Sequence, residues 1–269
     1  MHLRGTGTLI TGASRGLGAA LARQLARRGA RLALVARDPV ALDRLVAEIR
    51  AEGGEAHALA ADVGDKQAVY PLAGAAAALV GPLGLVVHNA SSLGPLPMPP
   101  LLDTDCEDLE RVLAVNLVGP FRLTKAIAGG MALNGGGLFV FLSSDAATSA
   151  YPNWGAYGVS KAALDHLARV WAAELEGTGV RTLVVDPGEM DTQMHADALP
   201  DADRAALARP EAVARRLVEL IGDDSIASGA RVEAQRPPLA ADGAGAFDAA
   251  GATNAANASG AAAAAAVAP

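Results

Sequence analysis

Short apolar runs recur through the first two-thirds of the chain, and between successive runs lies a stretch with the length and periodicity of a helix. The candidate strands are Thr8–Ile10, Arg31–Ala36, Glu55–Ala60, Leu83–His88, Gly137–Leu142, Arg181–Asp186 and Ala230–Ala234. The candidate helices fall near Gly18–Arg28, Ala41–Ala51, Lys66–Leu79, Glu107–Met131, Tyr157–Leu175 and Glu211–Ile221. Each strand is short, apolar and closed by a polar or glycine boundary, the pattern of strands covered on both faces. The alternation therefore predicts a doubly wound α/β fold: a single parallel sheet of about seven strands with helices on both faces. At 269 residues the chain can fill one large core. We place that domain over residues 1–239. The remainder, 240–269, is almost all Ala, Gly and small polar residues; after Phe247 its only large aliphatic residue is Val267. Such a tail buries too little apolar surface to offset the entropy of ordering it, and no function is assigned to it.

The segment Thr11-Gly12-Ala13-Ser14-Arg15-Gly16-Leu17-Gly18 joins the first strand to the first helix. Gly12 permits a tight turn, Gly16 lets backbone approach a phosphate, and Gly18 allows helix to pack closely on strand. The helix start presents unpaired N–H groups and the positive end of a dipole to a pyrophosphate. Ser14, Arg15 and Leu17 complete this cradle for a dinucleotide. The second strand ends Ala36-Arg37-Asp38. An arginine here suits the 2′-phosphate of NADP(H), and Arg37 with Arg15 provides a pair of guanidinium groups for it. Asp38 stands before Pro39 as a helix N-cap; in the competing reading it holds a ribose hydroxyl and the cofactor is NAD(H). We favour NADP(H).

Tyr157-Gly158-Val159-Ser160-Lys161 opens a helix, and residues four apart share one helical face. A free phenol titrates near pH 10, so a neighbouring ammonium, together with an oxidised nicotinamide, is expected to favour phenolate and make Tyr157 a general acid/base. Ser144 closes the fifth strand at the carboxyl edge, where ligands bind in open α/β sheets, and can donate to a substrate oxygen. Asn116 interrupts the apolar stretch Val112–Leu117. A buried amide must find partners; the structural reading is a bracing amide, the functional one a water-mediated link to Lys161.

With these residues assembled, the chain resembles the short-chain dehydrogenase/reductase family from about Gly5 to Ala234. The resemblance implies a Rossmann fold with a catalytic tetrad at Asn116, Ser144, Tyr157 and Lys161. It implies cofactor contacts at Thr11–Gly18, at Asp62-Val63, at Asn89-Ala90, at Pro187-Gly188 and at Thr192, besides Tyr157 and Lys161 themselves. The family's Asn-Asn-Ala-Gly reads His88-Asn89-Ala90-Ser91 here, so His88 and Ser91 depart from it, and the frequent Asp-Gly-Gly near the C-terminus is missing. His88 is read as a hydrogen-bonded strand-end residue and Ser91 as a side chain narrowing the space beside the cofactor. The activity implied is NADP(H)-dependent interconversion of a small-molecule carbonyl, aldehyde or ketone, and its alcohol. A homodimer or homotetramer through the Glu107–Met131 and Tyr157–Leu175 helices is also implied. A catalytically silent NADP(H)-binding redox sensor is the alternative, one with no need of all four tetrad residues.

Several classes are set aside by composition. A net charge of -7 argues against a nucleic-acid partner. Cys106 is the only cysteine, so no intrachain disulfide or thiolate cluster forms, and the five scattered histidines suggest no catalytic metal. Ala68–Ala90 is apolar but broken by Pro71, Gly74, Gly81, Pro82 and Gly84, so no membrane span is expected there. With no leader-like N-terminus, the expected location is cytoplasmic. The substrate walls are expected in Ser92–Leu102, Asp145–Trp154 and Met190–Pro210, with Leu93, Leu96, Trp154, Met190 and Met194 apolar and Asp145 available as an acceptor.

Overall fold

The computed structural model describes residues 1–235. The low-complexity segment 240–269, and residues 236–239 of the expected domain, lie outside the described residues. Seven parallel strands form one sheet in the order β3-β2-β1-β4-β5-β6-β7. The strands are β1 (Gly7–Thr11), β2 (Arg31–Ala36), β3 (Glu55–Ala60), β4 (Leu83–His88), β5 (Gly137–Leu142), β6 (Val180–Asp186) and β7 (Arg231–Glu233). The helices are α1 (Gly16–Arg27), α2 (Pro39–Ala51), α3 (Lys66–Val80), α4 (Cys106–Leu113), α5 (Gly119–Leu133), α6 (Gly155–Glu174), α7 (Gln193–Ala198) and α8 (Pro210–Gly222).

Successive strand residues point to opposite faces, and each face has its own core. On one, Ile10, Leu34 and Val87 meet Leu21 and Leu25 of α1, Leu45 of α2 and Leu217 of α8. On the other, Leu9, Val86, Phe139 and Val184 meet Leu72 of α3, Leu123 and Ile127 of α5 and Leu164 of α6. Helices thus cover both faces. The order reverses between β1 and β4, so the connections leaving those strands diverge and open a crevice at their carboxyl ends.

Four strands, β2 to β5, occupy the predicted ranges. The predicted helix over Glu107–Met131 is instead two α-helices joined by a π-helical turn at Ala114–Val118. Within the stretch Cys106–Leu133 an 18-residue window has a mean hydropathy of 1.2, long and apolar enough to cross a bilayer by composition. Here Leu123, Ile127 and Met131 are spent on the core under the sheet. The short α7, with Thr192 as its cap, is an element the strand-and-helix pattern did not predict.

Candidate active site

The β1–α1 turn is shaped by backbone. Gly12 sits at φ +65°, and a Cβ there would lie 2.8 Å from the Ala90 Cα. At Gly18 a Cβ would overlap the Gly12 carbonyl oxygen, so the first turn of α1 rests directly on the loop. Asn89 fastens this loop from β4: its Nδ2 donates to the Thr11 and Gly12 carbonyls at 3.0 and 2.9 Å. The Thr11 hydroxyl accepts from the Asn89 and Ala90 N–H groups at 3.0 and 3.1 Å. Gly16 faces the methyl of Thr192, which caps α7, so the turn and the predicted Thr192 do come together.

The N-terminus of α1 carries neither a side-chain cap nor an acidic residue in its first turn. The next two helices differ: Asp38 caps α2 through the Val40 and Ala41 N–H groups, and Asp65 caps α3 through that of Gln67. Asp38 therefore takes the N-cap role. Arg15 and Arg37 are exposed, and among the described residues neither guanidinium forms an ion pair or hydrogen bond. An uncapped helix end, a turn whose Gly12 and Gly18 leave no room for a Cβ, and two uncommitted guanidinium groups fit a dinucleotide carrying phosphates. Farther along the same edge, Asp62 accepts from the Gly64 N–H at 2.8 Å and Val63 is buried under α3 and α5. After β6, the Gly188 N–H donates to Asp186 Oδ1 at 3.0 Å, while Gln235 donates to the Pro187 and Glu189 carbonyls.

Four segments bring the candidate proton-transfer residues together. Tyr157 and Lys161, one turn apart on α6, are 8% and 3% exposed. The Lys161 Nζ lies 5.4 Å from the Tyr157 ring centroid and donates to the Leu142 carbonyl at 2.7 Å. Ser144, just past β5, donates to Asp145 Oδ1 at 2.9 Å and accepts from the Ala146 N–H at 3.2 Å. Asp145 also accepts from the Tyr151 hydroxyl at 2.8 Å and from the Ala146 N–H, which leaves one acceptor site on Oδ2. Asn116 sits in the π turn and is 1% exposed. Its Nδ2 donates to the Ser92 carbonyl and to Ser160 Oγ, both at 2.9 Å. Its Oδ1 accepts from the Ser92 N–H at 2.8 Å and from Ser91 Oγ at 3.3 Å. With its amide fully engaged, the Asn116 side chain takes the bracing role of the two readings.

In the protein alone, burial dominates the titration of the pair. The Tyr157 phenol is pushed up to about 12, chiefly by burial and further by Asp186 and Asp145; the facing hydroxyls of Ser144 and Ser91 pull it the other way. Lys161 is pushed down to about 8 by burial, against the carboxylates of Asp165 and Asp186. In the protein alone, then, the amine does not make the phenol acidic. A site closed to water disfavours both charged forms, and the ammonium lies beside the ring rather than at the oxygen.

Behind Lys161 stands a cluster the sequence reading missed. Arg231 of β7 donates to Asp165 Oδ2 at 3.1 Å, to Asp186 Oδ2 at 2.8 Å and to the Ser144 carbonyl at 3.0 Å. One side chain thereby ties the Lys161 helix, the Pro187-Gly188 strand end and the Ser144 loop. Asp165, one turn beyond Lys161 on the same helical face, was the available signal; nothing local marks Arg231. His88 is buried against Phe141 with Nε2 2.9 Å from Thr124 Oγ1, and burial pushes its pKa down to about 3, so it stays neutral as a strand-end residue. Around Tyr157, Leu93 and Ala146 pack with Met98, Trp154, Met194 and Ala198. Leu96 is exposed instead, and Met190 packs on the core under α1 and α8, so these two predicted wall residues do not join that cluster.

The profile of the short chain dehydrogenases matches residues 7–203. The chain belongs to the short-chain dehydrogenase/reductase family, NAD(P)-dependent oxidoreductases acting on CH–OH groups. A short chain dehydrogenase of Pseudocercospora fijiensis is 37% identical over 210 residues, a match spanning 76% of this chain and 66% of that protein. Among solved structures, a metagenomic short-chain oxidoreductase in complex with NADP superposes with a TM-score of 0.73 at 32% identity, covering 87% of this chain and 99% of the other. An NAD+-bound xylitol dehydrogenase gives 0.77 at 26% identity, covering 87% and 98%. Use of a nicotinamide cofactor follows.

Proposed function

We propose that this chain interconverts an aldehyde or ketone and its alcohol with NADP(H), Tyr157 acting as the general acid/base. The observation that carries the reading is the meeting of Ser144, Tyr157 and Lys161 at the carboxyl edge of the sheet, next to a turn that excludes side chains. When bound, the dihydronicotinamide supplies the hydride that the carbonyl carbon receives. Tyr157 gives its hydroxyl proton to the carbonyl oxygen in reduction and takes it back in oxidation. Lys161 is read as holding the nicotinamide ribose, its ammonium opposing the effect of burial on the phenol. Ser144 orients the substrate oxygen, and Asn116 braces the loop that faces it. Gly12, Ser14, Arg15, Gly16, Leu17 and Gly18 cradle the pyrophosphate. Asp62 and Val63 flank the adenine, while Asn89, Ala90, Pro187, Gly188 and Thr192 border the nicotinamide half.

The uncommitted Arg15 and Arg37, beside an Asp38 engaged as a cap, support NADP(H) over NAD(H). The reading extends to a cytoplasmic homo-oligomer joined through α4, α5 and α6. Phe121, stacked on Trp171 at 6.0 Å, and the exposed Val159 and Val170 support that contact face. Consumption of NADPH and NADH, followed in the reduced-nicotinamide absorbance band against a diverse panel of aldehydes and ketones, tests the activity. Carbonyl-dependent oxidation, faster with NADPH, is expected. NADPH binding with no turnover on any carbonyl or alcohol would contradict it.

A further inference from the structure

We propose that Ser91 donates its hydroxyl hydrogen to the Tyr157 oxygen when charge develops there, a task for which Ser144 is held back by Asp145. The inference rests on Tyr157 being the acid/base. It starts from three bonds, one of them made by Ser91. The Ser91 hydroxyl donates to Asn116 Oδ1 over 3.3 Å, a long bond. That oxygen already accepts the Ser92 N–H at 2.8 Å, so the Ser91 bond is redundant. Ser144 differs: its hydrogen goes to the Asp145 carboxylate at 2.9 Å, a charge-assisted bond of the stronger kind. Asn116 Nδ2 in turn donates to Ser160 Oγ, which donates to the Tyr157 carbonyl, so the Ser91 hydroxyl sits against the Tyr157 turn; both serine hydroxyls draw the phenol down, Ser144 the more.

A serine hydroxyl has one hydrogen and two acceptor sites. While Tyr157 is a phenol, Ser91 can accept from it and still donate to Asn116. Once Tyr157 is a phenolate it needs donors, and rotation about the Ser91 Cβ–Oγ bond moves the hydrogen from Asn116 to the phenolate. Asn116 Oδ1 keeps the Ser92 N–H, so no buried acceptor is orphaned. In alcohol oxidation the substrate O–H proton passes to Tyr157; a bound oxidised nicotinamide would accept the hydride. Ser91 keeps its own proton throughout and stabilises charge. An amide carbonyl cannot pass a proton on, so the Ser91–Asn116 bond is no conduit.

The other groups facing Tyr157 are Lys161 on its own helix, Asp145 beside Ser144, and Asp186 at the end of β6. Lys161 is backed by Asp165 and, through it, by Arg231 of β7. On the α7 side His195 lies 3.6 Å from Glu189. Ser91→Ala leaves each of these in place. The test compares the parent, Ser91→Ala, Ser91→Gly and Ser91→Thr in two ways: ultraviolet tyrosinate titration of the NADP+-saturated protein with the Tyr157→Phe signal subtracted, and pH profiles in both reaction directions. We expect Ser91→Ala and Ser91→Gly to raise the Tyr157 midpoint by about one pH unit, a tenfold change in its ionisation equilibrium. Below that midpoint alcohol oxidation falls about tenfold, because the base is less often charged, whereas carbonyl reduction persists to higher pH. Ser91→Thr, which keeps the hydroxyl, retains the parental midpoint. Titrations and profiles of Ser91→Ala that superimpose on the parent, or equal losses in both directions without displacement, would overturn the role of Ser91 alone. Parental turnover in Tyr157→Phe would overturn the acid/base reading beneath it.

Discussion

The dinucleotide turn and the proton-transfer pocket share the carboxyl edge of one sheet but are made of different material. The turn is backbone: glycines that admit no Cβ, an uncapped helix end and exposed arginines whose charge is uncommitted. The pocket is side chain: Ser91, Asn116, Ser144 and the α6 pair Tyr157 and Lys161 arrive from four segments and are largely buried, with Arg231 and two carboxylates behind them. A phosphate needs N–H groups and positive charge, which a local turn supplies within eight residues. Proton transfer needs hydroxyls and charges at fixed distances away from water, which only long-range packing supplies. The turn should therefore fail by steric intrusion, and the pocket by loss of a charge or a donor.

The largest stability effect is expected behind the pocket. Arg231→Met leaves Asp165 and Asp186, each 8% exposed at the side chain, without their shared cation. Removing one partner of a buried pair costs about 3–5 kcal/mol, read from the denaturant midpoint. A loss no greater than that of a surface change would show that Arg231 is not what holds the three segments. In the turn, Gly18→Ala forces a methyl against the Gly12 carbonyl, and overpacking of this kind costs roughly 1–3 kcal/mol. It should weaken NADPH binding as the loop shifts; unchanged affinity in calorimetry would mean that the loop gives way freely. Smaller still, Arg37→Ala should lower NADPH affinity about tenfold, about 1.4 kcal/mol, and leave NADH affinity alone. Its neighbour gives the contrast: Asp38→Ala removes a cap worth about 1 kcal/mol of stability while cofactor preference holds. Were Asp38→Ala instead to abolish NADH binding specifically, Asp38 would be a ribose ligand.

Local features were legible in the sequence because their causes are local. Strands β2 to β5 end where a polar or glycine residue ends an apolar run, and the glycine turn is marked by spacing alone. The cap at Asp38 is written in the Asp-Pro pair before an apolar helix. The break at Asn116 is harder to read: a single π turn is too short to set a period of its own, and only an amide in an apolar stretch marks the place. Arg231 was invisible because its partners lie 45 and 66 residues away. What sets the Tyr157 phenol in the protein alone is hidden for a related reason. A lysine four residues on can be seen in the sequence, whereas the burial that outweighs it comes from Leu93, Ala146, Trp154 and Met194 on other segments. Ser91 was noted only as an intruding side chain, since its bond to Asn116 spans 25 residues.

That the turn binds and the pocket reacts is tested most directly in Tyr157→Phe, by measuring NADPH affinity and turnover on the same preparation. We expect turnover to fall about a hundred- to ten-thousand-fold while NADPH binds within about twofold of the parent. Retained turnover, or loss of NADPH binding in a folded protein, would contradict the division of labour between the two regions.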